Sequence, residues 1–282
     1  MTDPADSASP SSIDAQDAQS IRERLSRAAE AVRRASESAH GTPDAVRIML
    51  ATKTQPASRI RVALEAGHTL IGENRVQELQ AKAPELADIA HEAHLIGPLQ
   101  RNKVNHTLRA GAVCVQSIDG LAVAQKLSDR IAALAAEGHA ALDAEAPGTL
   151  RTRRSGADGA AVADAAGESP LLDVLLQVNT SREDSKSGIA PAAAEQLAAQ
   201  VRELPHLRIR GLMTIGFPGA SAEEIRPSYA ELRELSARLR DTGVLPAEAT
   251  ELSMGMSADF ALAIEEGATI VRIGSTVFGA RE

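Results

Sequence analysis

The stretch Val46-Arg47-Ile48-Met49-Leu50-Ala51 runs directly into Thr52-Lys53-Thr54-Gln55-Pro56; a helical pattern over 57–66 follows, Gly67 closes it, and a second apolar run begins at Thr69. Strand, polar turn, helix and strand in that order make one β-α unit, with proline near the helix start and glycine at its end. The unit repeats. Apolar strand-like runs recur at 93–96, 112–116, 171–178, 207–213, 250–252 and 269–273, and helical patterns lie near 75–90, 99–109, 119–137, 191–203, 221–241 and 258–266. Eight strands with helices between them predict an α/β fold, the closed (β/α)₈ or TIM barrel. The competing arrangement is an open doubly wound sheet. No G-x-G-x-x-G follows the first strand, which weakens the dinucleotide-binding version of that sheet.

Working outward, Ser20 and Glu23 form a capping-box pattern. Ile21, Leu25, Ala28, Val32 and Ala35 follow at helical spacing, so a leading amphipathic helix is expected to about Ser38. Residues 1–19, rich in Ser, Asp, Ala and Pro, read as a disordered tail, and 20–282 as a single barrel domain. One segment breaks the rhythm: 138–170 has only Leu142, Leu150 and Val162 as larger apolar residues and reads as a flexible insertion.

The composition excludes several classes. Across 282 residues, 44% hydrophobic content rules out global disorder, and a net charge of −8 argues against non-specific binding to nucleic acid or anionic membrane. With aromatics at 1%, stacking platforms for bases are not available. The single cysteine, Cys114, excludes an internal disulfide and a Cys-rich metal site; its apolar neighbours suggest a packed core thiol. No metal site is expected. The first twenty residues hold four aspartates and no Lys or Arg, unlike a signal peptide, and no apolar run is long enough to span a membrane. A soluble, cytoplasmic protein is expected.

In such a barrel the chemistry sits at the C-terminal ends of the strands. Strand one ends in Lys53, strand two in Gly72-Glu73-Asn74, strand seven in Ser253-Met254-Gly255-Met256-Ser257 and strand eight in Arg272-Ile273-Gly274-Ser275. The last two turns combine glycines, which admit an anion close to the backbone, with the hydroxyls of Ser253, Ser257 and Ser275. They read as a phosphate cradle. Lys53 ends an apolar run and, partly desolvated, is a candidate amine nucleophile toward a carbonyl; Lys103 and Lys186 are more exposed-looking competitors. Arg272, inside Ile270-Val271-Arg272-Ile273, is a cation facing the barrel interior, either ion-paired there or set beside a bound ring or phosphate. A lysine for a Schiff base, a phosphate cradle and a barrel-lining arginine describe a site for pyridoxal 5′-phosphate (PLP), although aldolase-type barrels also combine lysine with phosphate loops.

Longer motifs match in order: Ala51-Thr52-Lys53-Thr54-Gln55-Pro56, Ile71-Gly72-Glu73-Asn74 with Val76-Gln77-Glu78, and His94-Leu95-Ile96-Gly97-Pro98-Leu99-Gln100. Gln177-Val178-Asn179, Ser185-Lys186-Ser187-Gly188-Ile189, Gly211-Leu212-Met213 and the two late turns continue the series. The chain thereby resembles the pyridoxal phosphate homeostasis proteins (the YggS/PROSC type), from about Ile48 to Arg281. The resemblance implies the fold-type III PLP barrel, similar to the N-terminal domain of alanine racemase. It also implies that Lys53 forms the internal aldimine with PLP, that Arg272 faces the pyridine nitrogen, and that Ser257, Gly274 and Ser275 hold the phosphate, with Asn74 and Ser253 lining the pocket. Arg75 departs from the family, which usually has an aromatic there; Gly216 and the length of 138–170 are further departures.

Members of that family are thought to hold and deliver PLP without an established reaction, so no catalytic residue is expected and PLP-dependent apo-enzymes are the implied recipients. The alternative is a PLP-dependent amino-acid racemase. Alanine racemases add a C-terminal β-domain and take a second base, a tyrosine, from a partner subunit. Only nine residues follow Ile273 here, and the one tyrosine, Tyr229, lies in a helical pattern where packing is expected. No heptad or apolar patch declares a dimer, so a monomer is expected.

Overall fold

The computed structural model describes residues 13–137, 171–181, 187–216 and 221–279. Eight parallel strands close on themselves in chain order. They are β1 (Arg47–Ala51), β2 (Leu70–Glu73), β3 (Glu92–Leu95), β4 (Ala112–Ile118), β5 (Leu172–Gln177), β6 (Leu207–Met213), β7 (Glu251–Met256) and β8 (Ile270–Ile273). The ring shuts where β8 pairs with β1, Arg47 opposite Ile270 and Leu50 opposite Ile273. Strands this short and apolar suit a sheet covered on both faces; β4 is buried along its whole length.

Outside the ring lie α1 (Ala15–His40), α2 (Ala57–Glu65), α3 (Val76–Lys82), α4 (Val104–Arg109), α5 (Leu121–Ala136), α6 (Ala194–Arg202), α7 (Ala222–Asp241), α8 (Phe260–Glu265) and α9 (Ser275–Phe278). Each buries one apolar stripe, as Val123, Leu127, Ile131 and Leu134 do along α5. The start of α7 is fixed by a capping box in which Ser221 and Glu224 satisfy each other's backbone amides. The leading helix α1 buries Ile21, Leu25, Ala28 and Val32 and packs against α2, α8 and α9. It thus belongs to the outer ring, on the flank that the short α9 leaves uncovered.

Two boundaries depart from the sequence reading. The leading helix begins at Ala15 and not at Ser20, with Asp14 as its N-cap. Residues 15–19 are therefore helix and not tail: Ala18 is buried, and Asp17 accepts a hydrogen bond of 2.9 Å from Arg59 of α2. That partner is 42 positions away, so no local pattern signals it. Strand β7 runs to Met256, whereas the sequence pattern places Ser253-Met254-Gly255-Met256 in a turn. Its pairing with β8 shifts register between Ser253 and Met256, and Gly255 has φ +87°. A Cβ there would come within 2.4 Å of the Ala263 methyl, so the close pass of α8 sets this glycine, and the bulge hides the strand's alternation. Residues 1–12 of the expected tail and the insertion at 138–170 lie outside the described residues.

Candidate functional site

At the C-terminal mouth of the barrel the strand ends enclose a cavity of about 550 Å³. Ala51 ends β1, Met213 ends β6 and Met256 ends β7, and all three line it. Six of the seven expected site residues open onto this space: Lys53, Asn74, Ser257, Arg272, Gly274 and Ser275. Ser253 does not. It is fully buried on β7, and its role is to hold Arg272.

Arg272 projects inward from β8 and is 6% exposed. It donates to Ser253 Oγ at 2.8 Å and to the Thr214 carbonyl at 2.7 Å. Neither acceptor is a carboxylate, so of the two readings open for this cation, a structural ion pair is the one the geometry does not support. Burial pulls its pKa down from 12.5 to about 10, against the opposing pull of the Tyr229 and Asp259 oxygens. The Ser253 hydroxyl passes its own proton to Gln116 Oε1 at 2.7 Å, and Gln116 Nε2 meets His94 Nδ1 at 2.9 Å. His94 Nε2 lies 3.8 Å from Glu92, which accepts a 2.7 Å bond from Arg47. A line of polar groups therefore threads the barrel from mouth to base beneath the arginine.

Lys53 lies two positions beyond the last residue of β1, and among the described residues its ammonium has no hydrogen-bond or ion-pair partner. The backbone around it is tightly held. Lys82 Nζ bonds the Thr52 carbonyl at 2.8 Å and Glu73 Oε1 at 2.7 Å, the Thr52 hydroxyl donates to the same Glu73 oxygen at 2.6 Å, and the Thr54 amide donates to Glu78 at 2.6 Å. Burial pushes the Glu73 carboxyl up, while Lys82 and Thr52 pull it down.

At the two late turns, the Gly274 amide donates to Ser257 Oγ at 3.2 Å. A Cβ on Gly274 would lie 2.9 Å from the Ala51 carbonyl, so close backbone approach, not a left-handed φ, requires the glycine. Gly255, expected in this cradle, does not line the cavity. Asp259 does, and sequence reasoning missed it: its Oδ1 accepts the Met256 amide at 2.5 Å. The only available signal was its place just ahead of the pattern that forms α8. Of the competing lysines, Lys103 sits on a short 3₁₀ turn (Arg101–Lys103) off the cavity, and Lys186 lies outside the described residues. Tyr229 is fully buried and does not line the cavity; burial and the Asp259 carboxylate push its hydroxyl up. Cys114 is buried too, and burial raises its thiol. Among the described residues no His, Cys, Asp and Glu cluster could hold a metal ion, and no helix is long and apolar enough to cross a membrane.

A closed barrel with this mouth defines a class. Residues 24–282 match the family described as alanine racemase, N-terminal domain. Within that class the chain is 38% identical to the pyridoxal phosphate homeostasis protein of Pseudomonas aeruginosa over 93% of this chain and 96% of the relative. It is 36% identical to the protein of that name from Aquifex aeolicus, over 92% of this chain and 98% of the relative. The structure of PipY from Synechococcus elongatus with PLP bound superposes with a TM-score of 0.70 at 31% identity, over 92% of this chain and 100% of PipY. The chain belongs to the pyridoxal phosphate homeostasis protein family.

Proposed function

We propose that this protein binds PLP at the barrel mouth, holds it through Lys53, and serves PLP homeostasis without running a reaction of its own. The observation that carries the reading is the convergence of a lysine without a partner among the described residues, a buried arginine and the Ser257, Gly274 and Ser275 turns on one cavity of about 550 Å³. The residues fit the cofactor's chemistry. When bound, PLP supplies an aldehyde for an amine and an electron-drawing pyridine ring above a phosphate. Lys53 Nζ would be the amine that takes that aldehyde. Arg272 offers a fixed cation for the ring edge, and its partners Ser253 and Thr214 keep it in place. Ser257, Gly274 and Ser275 offer hydroxyl and backbone donors for the phosphate, and Asn74 borders the same space. Relatives named for PLP homeostasis and the PLP-bound PipY support the assignment.

PLP-dependent apo-enzymes are the proposed recipients, and the cytoplasm, where they work, is the proposed location. A monomer is proposed on the ground that Leu171 is the only exposed large hydrophobic residue among those described. Size-exclusion chromatography with light scattering checks this, and a stable dimer would overturn it.

The cofactor reading is tested by adding PLP to the purified protein, recording the visible spectrum before and after borohydride, and mapping the reduced peptide by mass. A borohydride-sensitive band with the adduct on Lys53, lost in Lys53→Ala, is expected. An adduct on Lys103 or Lys186 overturns the anchor, and no band overturns the cofactor.

A further inference from the structure

The Lys53 turn is held more tightly than a loop needs, and it is strained. Thr54 has φ +63° and is the one non-glycine residue in the left-handed region among those described. A β-branched residue avoids that region unless its surroundings enforce it, and such outliers gather at functional sites. Here the enforcement is visible. On one side of Lys53, the Thr52 carbonyl and hydroxyl are taken by Lys82 and Glu73; on the other, the Thr54 amide is taken by Glu78. Thr52 is fully buried, and Glu73 and Lys82 are 1% and 9% exposed. Lys82 Nζ directs its three protons to Thr52 O, Glu73 Oε1 and Glu78 Oε2, the last at 3.3 Å. Its donors are used up, and it is not a second amine for the cavity.

We infer that Glu73, Glu78 and Lys82 form a clasp whose role is to position Lys53, locking the backbone on both of its flanks so that its amine addresses the cavity. Glu73 ends β2, while Glu78 and Lys82 lie one turn apart on α3. The clasp thus ties the end of β1 to the β2–α3 unit beside it. These groups act through the Thr52–Thr54 backbone and are positioning residues, not catalytic ones.

The inference rests on the reading of Lys53 as the PLP anchor, and the test separates the two. Native protein, Thr54→Gly, Glu78→Ala and Glu78→Gln are compared by far-UV circular dichroism melting, by titration of the borohydride-sensitive band with PLP, and by competition with pyridoxine 5′-phosphate. That probe keeps ring and phosphate but has no aldehyde. Misplacing a reacting group by about an ångström costs up to roughly a hundredfold. Glu78→Ala and Thr54→Gly are therefore expected to weaken PLP capture by about ten- to a hundredfold while pyridoxine 5′-phosphate binds as before. Thr54→Gly should melt no lower than native, because glycine accepts the left-handed φ, and Glu78→Gln, which can still accept the Thr54 amide, should recover most of the capture. Equal weakening toward both ligands, or loss of capture only in step with a lower melting point, makes the clasp structural and overturns the inference. So does unchanged capture in Glu78→Ala and Thr54→Gly. A native protein that forms no adduct on Lys53 overturns the cofactor reading itself.

Discussion

Replacing Arg272 by glutamine should leave the ligand-free protein at least as stable as native. The guanidinium is 6% exposed and bonds a hydroxyl and a carbonyl, and the pull of the Tyr229 and Asp259 oxygens does not make up its desolvation. Its pKa falls from 12.5 to about 10, and at about 1.4 kcal/mol per tenfold that is roughly 3 kcal/mol against the charged form. The sign is that of a base depressed in the folded state: relief comes only as pH rises above about 10, so the cost is fully present at neutral pH. Glutamine removes the charge and keeps an amide to donate to the Thr214 carbonyl; Ser253 still donates to Gln116. Setting one lost charge-assisted bond, worth roughly 1.5–3 kcal/mol, against the relief leaves Arg272→Gln level with native or up to about 2 kcal/mol more stable. For a chain of this size each kcal/mol moves the midpoint by roughly 2–4 °C. With no tryptophan and one tyrosine, far-UV circular dichroism is the probe. The same variant should hold PLP more weakly, with an altered visible band. Stability below native by more than about 2 kcal/mol would make Arg272 a structural tie and sink the argument that its charge is kept for a ligand.

Ser253→Ala removes the hydroxyl between Arg272 and Gln116 and should cost about 1–3 kcal/mol in urea unfolding; combined with Arg272→Gln it should cost less than alone, since one partner is already gone. Lys82→Met strands the buried Glu73 carboxylate and should cost roughly 3–5 kcal/mol near pH 8. Burial already raises the Glu73 carboxyl, and losing Lys82 raises it further, so the folded state binds that proton more tightly; the variant's deficit should shrink as pH falls toward 5. A deficit independent of pH would place the damage elsewhere. Cys114, buried with a raised thiol, should give no signal with a thiol reagent in native protein at pH 8 and one equivalent after denaturation. Racemisation of L-alanine by the PLP-loaded protein, followed by chiral chromatography, should stay below ~1 s⁻¹; steady turnover at or above that rate would restore the racemase alternative.

The barrel was legible because both faces of its strands are buried, which leaves near-continuous apolar runs such as Ala112-Val113-Cys114-Val115, and because proline and glycine mark the helix ends. What escaped depended on distant partners. The bulge at Gly255 reads locally as a turn, and only the passage of α8 explains why the strand continues to Met256. The start of α1 is set by Arg59, which also bonds the Phe278 carbonyl. A pattern confined to residues 1–20 holds no trace of it.

The site shows the same division. Residues that meet the cavity at strand ends could be chosen by position, since topology puts strand ends and chemistry together. Residues that hold those residues could not. Glu78 and Lys82, four apart on α3, look like an ordinary surface pair worth a few tenths of a kcal/mol. Only the turn from β2 into α3 brings them against Thr52 and Thr54 and makes them a clasp, Lys82 buried and Glu78 half-buried. Ser253 falls in the same class, a hydroxyl that reads as part of the cradle in sequence and is fully buried in the fold, spent on Arg272; Tyr229 packs as its helical pattern implies, fully buried and off the cavity. That placement bears on function. With Tyr229 buried, its hydroxyl pushed up and off the cavity, the tyrosine does not stand opposite Lys53; the carboxylate that lines the cavity, Asp259, is engaged by the Met256 amide. With Arg272 fixed at the cavity, protonating a ring beside it would set two cations together. Both features fit the proposed reading of a site that holds a cofactor.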